Sequence, residues 1–403
     1  MDRTIPLLSR VASRENVGLA AIGGMRLTTM VVKFVLTIYI ARRMGLADLG
    51  LYGLISGVVI VGPIVASMGL MGLLARELVT RELGELTQLL RHYWRTVGTL
   101  YLTLLFPLAI SVGLFTGQLW ICLMTLAIWL LEHVNNDSFA VLISRQRALL
   151  ANVLYFLRAG GWMIVFMAAG LIVPPAWATL LLLSLWLAFE FIAVVGFAIA
   201  ARRWPWRSAP VSPRETVRWW RETVRPALKF WASDTGNVMG LYVDRYIITA
   251  LMGLEYLGVY VLFWSVANAV YNLTETGTLQ TRRPLLIGAH HRSDRTEYRR
   301  VFRSMSFSSF GSILVLSLLA GAVFPFALQF INRPVADGFI PLLWVLLLAG
   351  VVRVGFNLLT NDLYARRRDV VMVTTNILVL PISTLCNFLL LPFIGLYGAG
   401  WAA

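Results

Sequence analysis

Long apolar runs alternate with short polar connections along almost the whole chain. A membrane-spanning helix needs about 20 apolar residues, and each run is long enough to supply one. The pattern predicts eleven spans, with a twelfth that begins near Gly398. The predicted spans are 17–41, 50–73, 97–117, 119–143, 150–172, 177–200, 227–250, 256–280, 306–330, 339–361 and 370–392.

The composition favours a membrane protein over a soluble one. Of the 403 residues 58% are apolar and 14% are charged, whereas soluble domains carry roughly 25% charged residues. The two cysteines fall in apolar runs, so we expect neither a disulfide framework nor a metal site. There is no phosphate-binding P-loop pattern and no catalytic constellation. We therefore expect no enzyme, no ATP-driven motor and no resident cofactor.

The net charge of +15 is explained by topology. Such a charge is also typical of nucleic-acid binding, but here the basic residues lie between apolar runs, so we expect no nucleic-acid partner. With a cytoplasmic N-terminus, 27 of the 35 cations fall on the cytoplasmic side and only Arg42, Arg43 and Arg333 on the other. The positive-inside rule thus predicts a cytoplasmic N-terminus and an uncleaved first span, with Arg42 and Arg43 as a local exception.

The chain contains an internal repeat. Residues 44–52 (MGLADLGLY) and 252–260 (MGLEYLGVY) match at six of nine positions, 208 residues apart. The Arg-Gln-Arg of 145–147 corresponds to the Arg-Arg-Arg of 366–368, and Trp177-Ala178 corresponds to the same dipeptide at 401. Three matches in the same order predict a duplication of six spans.

The repeat predicts the domain organisation of the chain. The predicted domains are an N-terminal six-helix bundle (1–200), a cytoplasmic linker (201–226) and a C-terminal bundle (227–403) with five full spans. Only two residues follow Trp401, so the twelfth span is incomplete. Either the native chain continues beyond Ala403, which we expect, or the protein works with eleven full helices. The linker is rich in Arg and Trp, which indicates an amphipathic surface helix. It would either anchor on anionic lipid or bind a partner protein.

The first predicted span carries cations on one face. Arg26, Thr29 and Lys33 follow the i, i+3, i+7 spacing of a single helix face. A charge at mid-bilayer costs about 2.5–3.5 kcal/mol, so each needs a partner or a function. One interpretation is a cationic lining for an anionic substrate. The other is pairing with an acid such as Asp244 or Glu132.

Other predicted spans carry polar stripes that face either a cavity or a neighbouring helix. These residues are Asp234, Asn237, Asp244, Asn268, Asn272, Glu275, Arg353 and Asn357. Arg158 and Glu190 lie equally far from the turn between spans five and six, which predicts a structural ion pair. His133 beside Glu132 is either a proton carrier or a hydrogen-bonded core histidine.

Two stretches carry a family resemblance. Residues 41–77 read ARRMGLADLGLYGLISGVVIVGPIVASMGLMGLLARE, and residues 363–403 read LYARRRDVVMVTTNILVLPISTLCNFLLLPFIGLYGAGWAA. Together with Asp244-Arg245 ahead of the second repeat copy, they resemble the Wzx-type oligosaccharide-repeat-unit flippases. That family belongs to the multidrug/oligosaccharidyl-lipid/polysaccharide (MOP) superfamily. The resemblance extends over nearly the whole chain.

The resemblance implies an all-α polytopic, MATE-like fold with a central cavity lined by spans one, two, seven and eight. It implies that undecaprenyl-pyrophosphate-linked glycans move across the bacterial inner membrane for exopolysaccharide, capsule or O-antigen synthesis. Polymerase and chain-length proteins of the same pathway are then candidate partners. Arg26, Lys33 and Arg353 would bind the pyrophosphate, which is anionic. Polar lining would come from Thr29, Asn237, Asn268, Asn272 and Asn357. The acids Asp234, Asp244, Glu275 and Glu132 would couple transport to H⁺ or Na⁺.

Three rivals are weighed against this interpretation. A cation-coupled multidrug exporter of the same fold should prefer an acidic cavity, whereas the first predicted span is basic. A lipid II flippase has two further spans, for which this chain has no room. A membrane glycosyltransferase or polymerase should have a large periplasmic loop with catalytic residues, and the predicted outer loops are short.

Overall fold

All regular secondary structure is helical in the computed structural model, which describes residues 5–206 and 212–403. Part of the predicted linker, 207–211, lies outside the described residues. The α-helices are α1 (Ile5–Arg43), α2 (Leu46–Ala66), α3 (Leu70–Thr80), α4 (Leu83–Leu100), α5 (Phe106–Thr116), α6 (Leu119–Ser144), α7 (Ala148–Phe156), α8 (Trp162–Ala169), α9 (Ala178–Ala201), α10 (Pro213–Gly240), α11 (Val243–Met252), α12 (Leu254–Thr274), α13 (Gln280–His291), α14 (Arg295–Ile331), α15 (Pro334–Asp337), α16 (Ile340–Ala365), α17 (Asp369–Ile394) and α18 (Leu396–Ala402). Three π-helical segments, Tyr101–Leu105, Leu157–Gly161 and Glu275–Leu279, join successive helices, and a 3₁₀ turn, Pro175–Trp177, precedes α9.

Ten helical stretches within the described residues are long and apolar enough to cross a membrane. They are Ala21–Arg43, Leu46–Ala66, Leu83–Thr116, Leu119–Ser144, Ala148–Ala169, Pro175–Ala201, Leu254–His291, Arg295–Ile331, Ile340–Ala365 and Val370–Ile394. Each overlaps one of the eleven predicted spans, and the predicted start of a twelfth corresponds to α18. The chain is therefore a multi-pass, all-α membrane protein.

The remaining predicted span, 227–250, is divided between α10 and α11. The division follows from close packing of Gly240 on α17, where a Cβ atom would lie 2.5 Å from Cγ1 of Val379. The Ser383 hydroxyl donates a hydrogen bond to the Gly240 carbonyl at 3.1 Å, which supplies the partner that a carbonyl at a helix end requires. This stretch also carries polar residues in both halves, such as Asp234 and Asp244, and it is not among the ten apolar stretches.

The chain divides into two compact units. The first unit comprises Met1–Leu36 and Val58–Trp231, and the second comprises Thr37–Gly57 and Ala232–Ala403. Helices α1, α2 and α10 thus contribute residues to both units. The domain boundaries expected from the repeat, 1–200, 201–226 and 227–403, stay a prediction.

In the first unit, α10 packs into a core formed with α3, α4 and α6. Gly69 has a left-handed backbone (φ 70°), and a Cβ atom there would lie 2.3 Å from the Ala227 carbonyl oxygen. The indole of Trp231 donates to the Val65 carbonyl at 3.0 Å. The N-terminal part of α10 is therefore fixed to the first unit by backbone contact as well as by side chains.

In the second unit, the two copies of the nine-residue repeat cross each other. A Cβ atom at Gly50 would lie 2.0 Å from the Leu254 carbonyl oxygen, and one at Gly258 would lie 1.8 Å from the Leu46 carbonyl oxygen. Gly50 and Gly258 are repeat counterparts, and so are Leu46 and Leu254, since both pairs are 208 residues apart. The contact is therefore reciprocal, which indicates a local two-fold relation between α2 and α12.

The second sequence match of the repeat, 145–147 with 366–368, also has a structural counterpart. Helices α6 and α16 are both 26 residues long, and they begin 221 residues apart. Each ends in a three-residue turn whose middle residue has a left-handed backbone, Gln146 (φ 58°) in one and Arg367 (φ 56°) in the other. These equal lengths and turns support a duplication, while the count of six plus six spans stays a prediction.

Two of the three cations predicted to lie on the outer side have structural partners. Arg333 donates to the carbonyl oxygens of Ala41 and Arg42, both at 3.1 Å, and thereby caps the end of α1. The guanidinium of Arg42 lies 3.9 Å from the ring centre of Phe330. These contacts give Arg42 and Arg333 a structural role, while the orientation of the chain stays a prediction.

Candidate functional site

In the first unit, the cationic face of α1 is accessible. Arg26 and Lys33 are exposed, whereas Thr29 is buried and its hydroxyl donates to the Met25 carbonyl at 2.8 Å. The Arg26 Nε donates to the Asn152 side-chain oxygen on α7 at 3.1 Å. Lys33 interacts electrostatically with Glu132 on α6. Both alternatives for this face therefore find support, because Lys33 is exposed and also has a nearby acid.

A charge cluster, formed by Glu132, Asn135, Asn136, Arg158 and Glu190, lies next to this face. Asn135, Arg158 and Glu190 are buried, Glu132 is half-buried and Asn136 is exposed. Arg158 is 4% exposed and forms an ion pair with Glu132. Its second terminal nitrogen donates to the Asn136 oxygen at 2.7 Å, and Nη1 lies 4.0 Å from Glu190. The partner that sequence reasoning assigned, Glu190, is thus the more distant of two carboxylates. Glu190 lies on the neighbouring span of the same hairpin, whereas the closer acid, Glu132, comes from α6.

Glu190 has its own hydrogen-bond donors within the cluster. The Asn135 amide donates to Oε2 at 2.7 Å, and the Trp186 indole donates to Oε1 at 3.3 Å. Glu190 is fully buried, so these donors replace the water that a carboxylate would otherwise require. The cluster therefore places two carboxylates around one guanidinium, with Lys33 at its accessible side.

His133 points away from this cluster. Its Nε2 lies 2.9 Å from the Tyr93 hydroxyl and its Nδ1 lies 3.2 Å from the Tyr101 hydroxyl. Asp137 lies 3.6 Å from the same ring and is 5% exposed. His133 and Glu132 thus have different partners, and the geometry favours a hydrogen-bonded core histidine over a relay from His133 to Glu132.

In the second unit, Asp244 and Arg245 are both buried but bind different groups. Asp244 accepts hydrogen bonds from the Tyr260 hydroxyl and from the Arg245 backbone amide, the latter at 2.7 Å. The guanidinium of Arg245 donates to the Gly53 carbonyl at 2.7 Å and lies 4.6 Å from the ring centre of Trp264. The two side chains are therefore held by the fold, with no direct hydrogen bond between them among the described contacts.

A small cavity of about 40 Å³ lies beside Asp244. That volume is enough for one or a few water molecules. Its polar lining consists of Asp244, Trp264, Asn268, Tyr271 and Arg353. Three residues predicted from separate spans, Asp244, Asn268 and Arg353, thus share one cavity.

Tyr271 is the centre of this arrangement. The guanidinium of Arg353 lies 3.9 Å from its ring centre, and the Asn357 amide donates to its hydroxyl. Glu275 interacts electrostatically with the same hydroxyl. Sequence reasoning missed Tyr271 because tyrosine counts as apolar within a span. Its spacing could have identified it, since Tyr271 lies one helical turn from Asn268 and one from Glu275, on the same helix face.

The other predicted polar residues lie outside the lining of this cavity. Asp234 is exposed on α10, Asn237 is half-buried on the same helix, and Asn272 is half-buried on α12. The four candidate coupling acids therefore have different surroundings. Asp244 lines this cavity, Glu132 pairs with Arg158, Asp234 is exposed, and Glu275 interacts with Tyr271. Within the described residues there is no group of three or more His, Cys, Asp or Glu side chains that could hold a metal ion.

Comparison with known proteins identifies the fold. No family model matches the chain, and no curated protein matches its sequence. Among solved structures, the inward-facing form of a multidrug resistance MATE family transporter of the MOP superfamily matches with a TM-score of 0.72 and 15% identity, over 93% of this chain and 90% of that one. The chain has the fold of the MATE transporters. This confirms the predicted MATE-like all-α fold.

Two further MATE structures match over a similar length. One is a MATE protein in complex with MaL6, with a TM-score of 0.57 and 13% identity over 95% of this chain and 91% of that one. The other is an outward-facing form of a multidrug resistance MATE family transporter, with a TM-score of 0.56 and 13% identity over 96% and 91%. At these identities the likeness establishes the MATE fold and leaves the substrate to be argued from residues.

Proposed function

We propose that the protein is a flippase that moves undecaprenyl-pyrophosphate-linked oligosaccharides from the cytoplasmic to the periplasmic leaflet by alternating access. The product would serve exopolysaccharide, capsule or O-antigen assembly in the bacterial inner membrane. The MATE fold supports a transporter, since solved neighbours include inward-facing and outward-facing forms. Coupling to H⁺ or Na⁺, a cytoplasmic N-terminus, and pathway polymerase and chain-length partners belong to the same proposal.

The observation that carries the substrate class is the exposed cationic pair Arg26 and Lys33 on α1. Both lie in a stretch apolar enough to cross a membrane, where an exposed charge is costly without a ligand or partner. Arginine and lysine are the side chains that bind phosphate groups best in a water-poor environment. A pyrophosphate headgroup would give both cations an anionic ligand.

We expect the double substitution Arg26→Ala with Lys33→Ala to lower surface polysaccharide at least ten-fold at unchanged protein abundance. Two phosphate contacts at about 1.4 kcal/mol or more each account for such a loss. The measurement is surface glycan per cell, with protein quantified in membranes. Arg43→Ala is the matched control, because it removes an exposed cation from the end of the same helix.

Charge-preserving substitutions separate substrate binding from packing. Arg26→Lys with Lys33→Arg should keep most of the export, because the charges remain while the Arg26 to Asn152 geometry changes. Wild-type export by the double alanine variant would refute the proposed role of these cations.

A cation-coupled multidrug exporter is the second candidate. It is favoured by the names of two structural neighbours and by the buried acids Asp244 and Glu190. This candidate predicts that gene deletion sensitises cells to cationic dyes and leaves surface glycan unchanged. A flippase predicts that gene deletion lowers surface glycan and leaves the sensitivity to cationic dyes unchanged.

A further inference from the structure

One strongly basic surface of the first unit is unused by the proposed function. Four arginines of α10, Arg214, Arg218, Arg221 and Arg225, are exposed. At 100° per residue they fall within an arc of about 60° on one side of the helix. We call this set the arginine face.

The opposite side of α10 is fixed to the protein. Thr216, Ala227 and Trp231 face inward, and the Thr216 hydroxyl lies 3.2 Å from Nδ1 of His92. Trp219 stacks on His92 with ring centres 5.9 Å apart, and Trp219 and Trp220 pack on the core of the first unit. The arginine face therefore points away from the helices that α10 packs against.

The start of α10 is defined by a capping box. The Ser212 backbone amide donates to the Glu215 carboxylate at 2.8 Å, and the Glu215 amide donates to the Ser212 hydroxyl at 3.2 Å. These hydrogen bonds lower the pKa of Glu215, so it remains anionic at neutral pH. The capping box thus fixes where α10 begins, and with it the positions of the arginines along the helix, without a ligand.

The segment that precedes the arginine face in the sequence has the character of a membrane interface. The apolar stretch Pro175–Ala201 ends just before it, and Trp204 and Trp206 follow directly with their rings stacked 5.9 Å apart. Tryptophan concentrates at the level of lipid headgroups. Along one edge of the face lie the half-exposed aliphatic side chains of Val217 and Leu228. A helix with arginines beside exposed aliphatic residues is suited to headgroups and the acyl boundary together.

The charges of this surface are available to an anion. Between 213 and 229 there are five cations and only two acids, Glu215 and Glu222. The ion pair of Arg218 with Glu222, at 2.9 Å, is highly exposed on both sides and therefore weak. The Glu215 carboxylate already accepts a hydrogen bond from the Ser212 backbone amide.

We propose that the arginine face binds the phosphate headgroups of anionic phospholipids and thereby stabilises the first unit. Clusters of four or more Lys and Arg on an amphipathic helix at the membrane surface recognise anionic lipid through charge and guanidinium–phosphate hydrogen bonds. Because α10 is fixed to the first unit through Gly69 and Trp231, lipid that binds α10 also restrains that bundle. This proposal does not depend on the transported substrate.

The test uses the full-length protein, purified in a neutral detergent and supplemented with phosphatidylglycerol or with phosphatidylcholine. Phosphatidylglycerol should raise the midpoint temperature of unfolding by about 3 °C, as expected for a ligand that binds only the folded state. Phosphatidylcholine and inorganic phosphate should leave the midpoint unchanged. If inorganic phosphate raised the midpoint temperature as much as phosphatidylglycerol does, the proposal that this surface binds lipid would be overturned.

The variant with Arg214, Arg218, Arg221 and Arg225 all replaced by Gln should lose most of this rise and retain about one fifth of the bound phosphatidylglycerol, measured after gel filtration. The four-fold Arg→Lys variant should keep both, which separates charge from folding. The matched control replaces four exposed arginines that form no such face, Arg299, Arg300, Arg367 and Arg368. An equal loss in that control, or full binding by the first variant, would overturn the proposal.

Discussion

Gly258→Ala is expected to destabilise the protein by about 3 kcal/mol, at the upper end of the usual cost of an added methyl group in a packed interior. The added Cβ atom would lie 1.8 Å from the Leu46 carbonyl oxygen, which belongs to rigid helical backbone. Since no rotamer change relieves a backbone contact, α2 and α12 would have to separate. The measurement is the midpoint of thermal unfolding in detergent, together with the yield of monodisperse protein.

The local two-fold relation makes this prediction sharper. Gly50→Ala should cost about as much, because its Cβ atom would lie 2.0 Å from the Leu254 carbonyl oxygen. The double variant should cost less than the sum, because one separation of the helices relieves both contacts. Gly311→Ala is the control, since no atom lies within 4 Å of the Cβ position, and it should not lower stability. Equal midpoints for Gly258→Ala and Gly311→Ala would contradict the crossing.

Much of the fold could be predicted from hydrophobic patterning, because lipid imposes length and apolarity on every span. The helix that begins at Leu254 and its counterpart at Leu46 both start within the sequence repeat that identified them. What patterning could not show is the break after Gly240, since that break depends on tertiary contact with α17. Likewise, the repeat predicted a duplication but not that its two copies touch.

The candidate site was predictable only in part, for a related reason. Charges within apolar runs stand out, so Arg158, Asp244 and Arg353 were found. Their partners depend on which helices become neighbours, and this is not encoded in single-span periodicity. The hairpin argument therefore paired Arg158 with Glu190 and missed the closer Glu132, while Tyr271 was hidden among apolar residues.

The charge balance of the cluster around Arg158 gives the second large prediction. Arg158→Met removes the only guanidinium that contacts both Glu132 and Glu190 among the described residues. Breaking a buried ion pair by removing one partner costs about 3–5 kcal/mol, because the remaining charge is left uncompensated. We therefore expect a severe loss of thermal stability and of folded protein in the membrane.

The same reasoning predicts a rescue. Adding Glu132→Gln and Glu190→Gln to Arg158→Met removes the uncompensated charges and leaves amides that can still bond to Asn135 and to the Trp186 indole. Replacing a whole buried ionic group by neutral side chains is often close to neutral in free energy, so the triple variant should recover most of the lost stability. Arg292→Met serves as the control, because its pair with Glu297 is exposed and therefore contributes little to stability. If the triple variant unfolds at the same temperature as Arg158→Met, the loss comes from packing and not from charge.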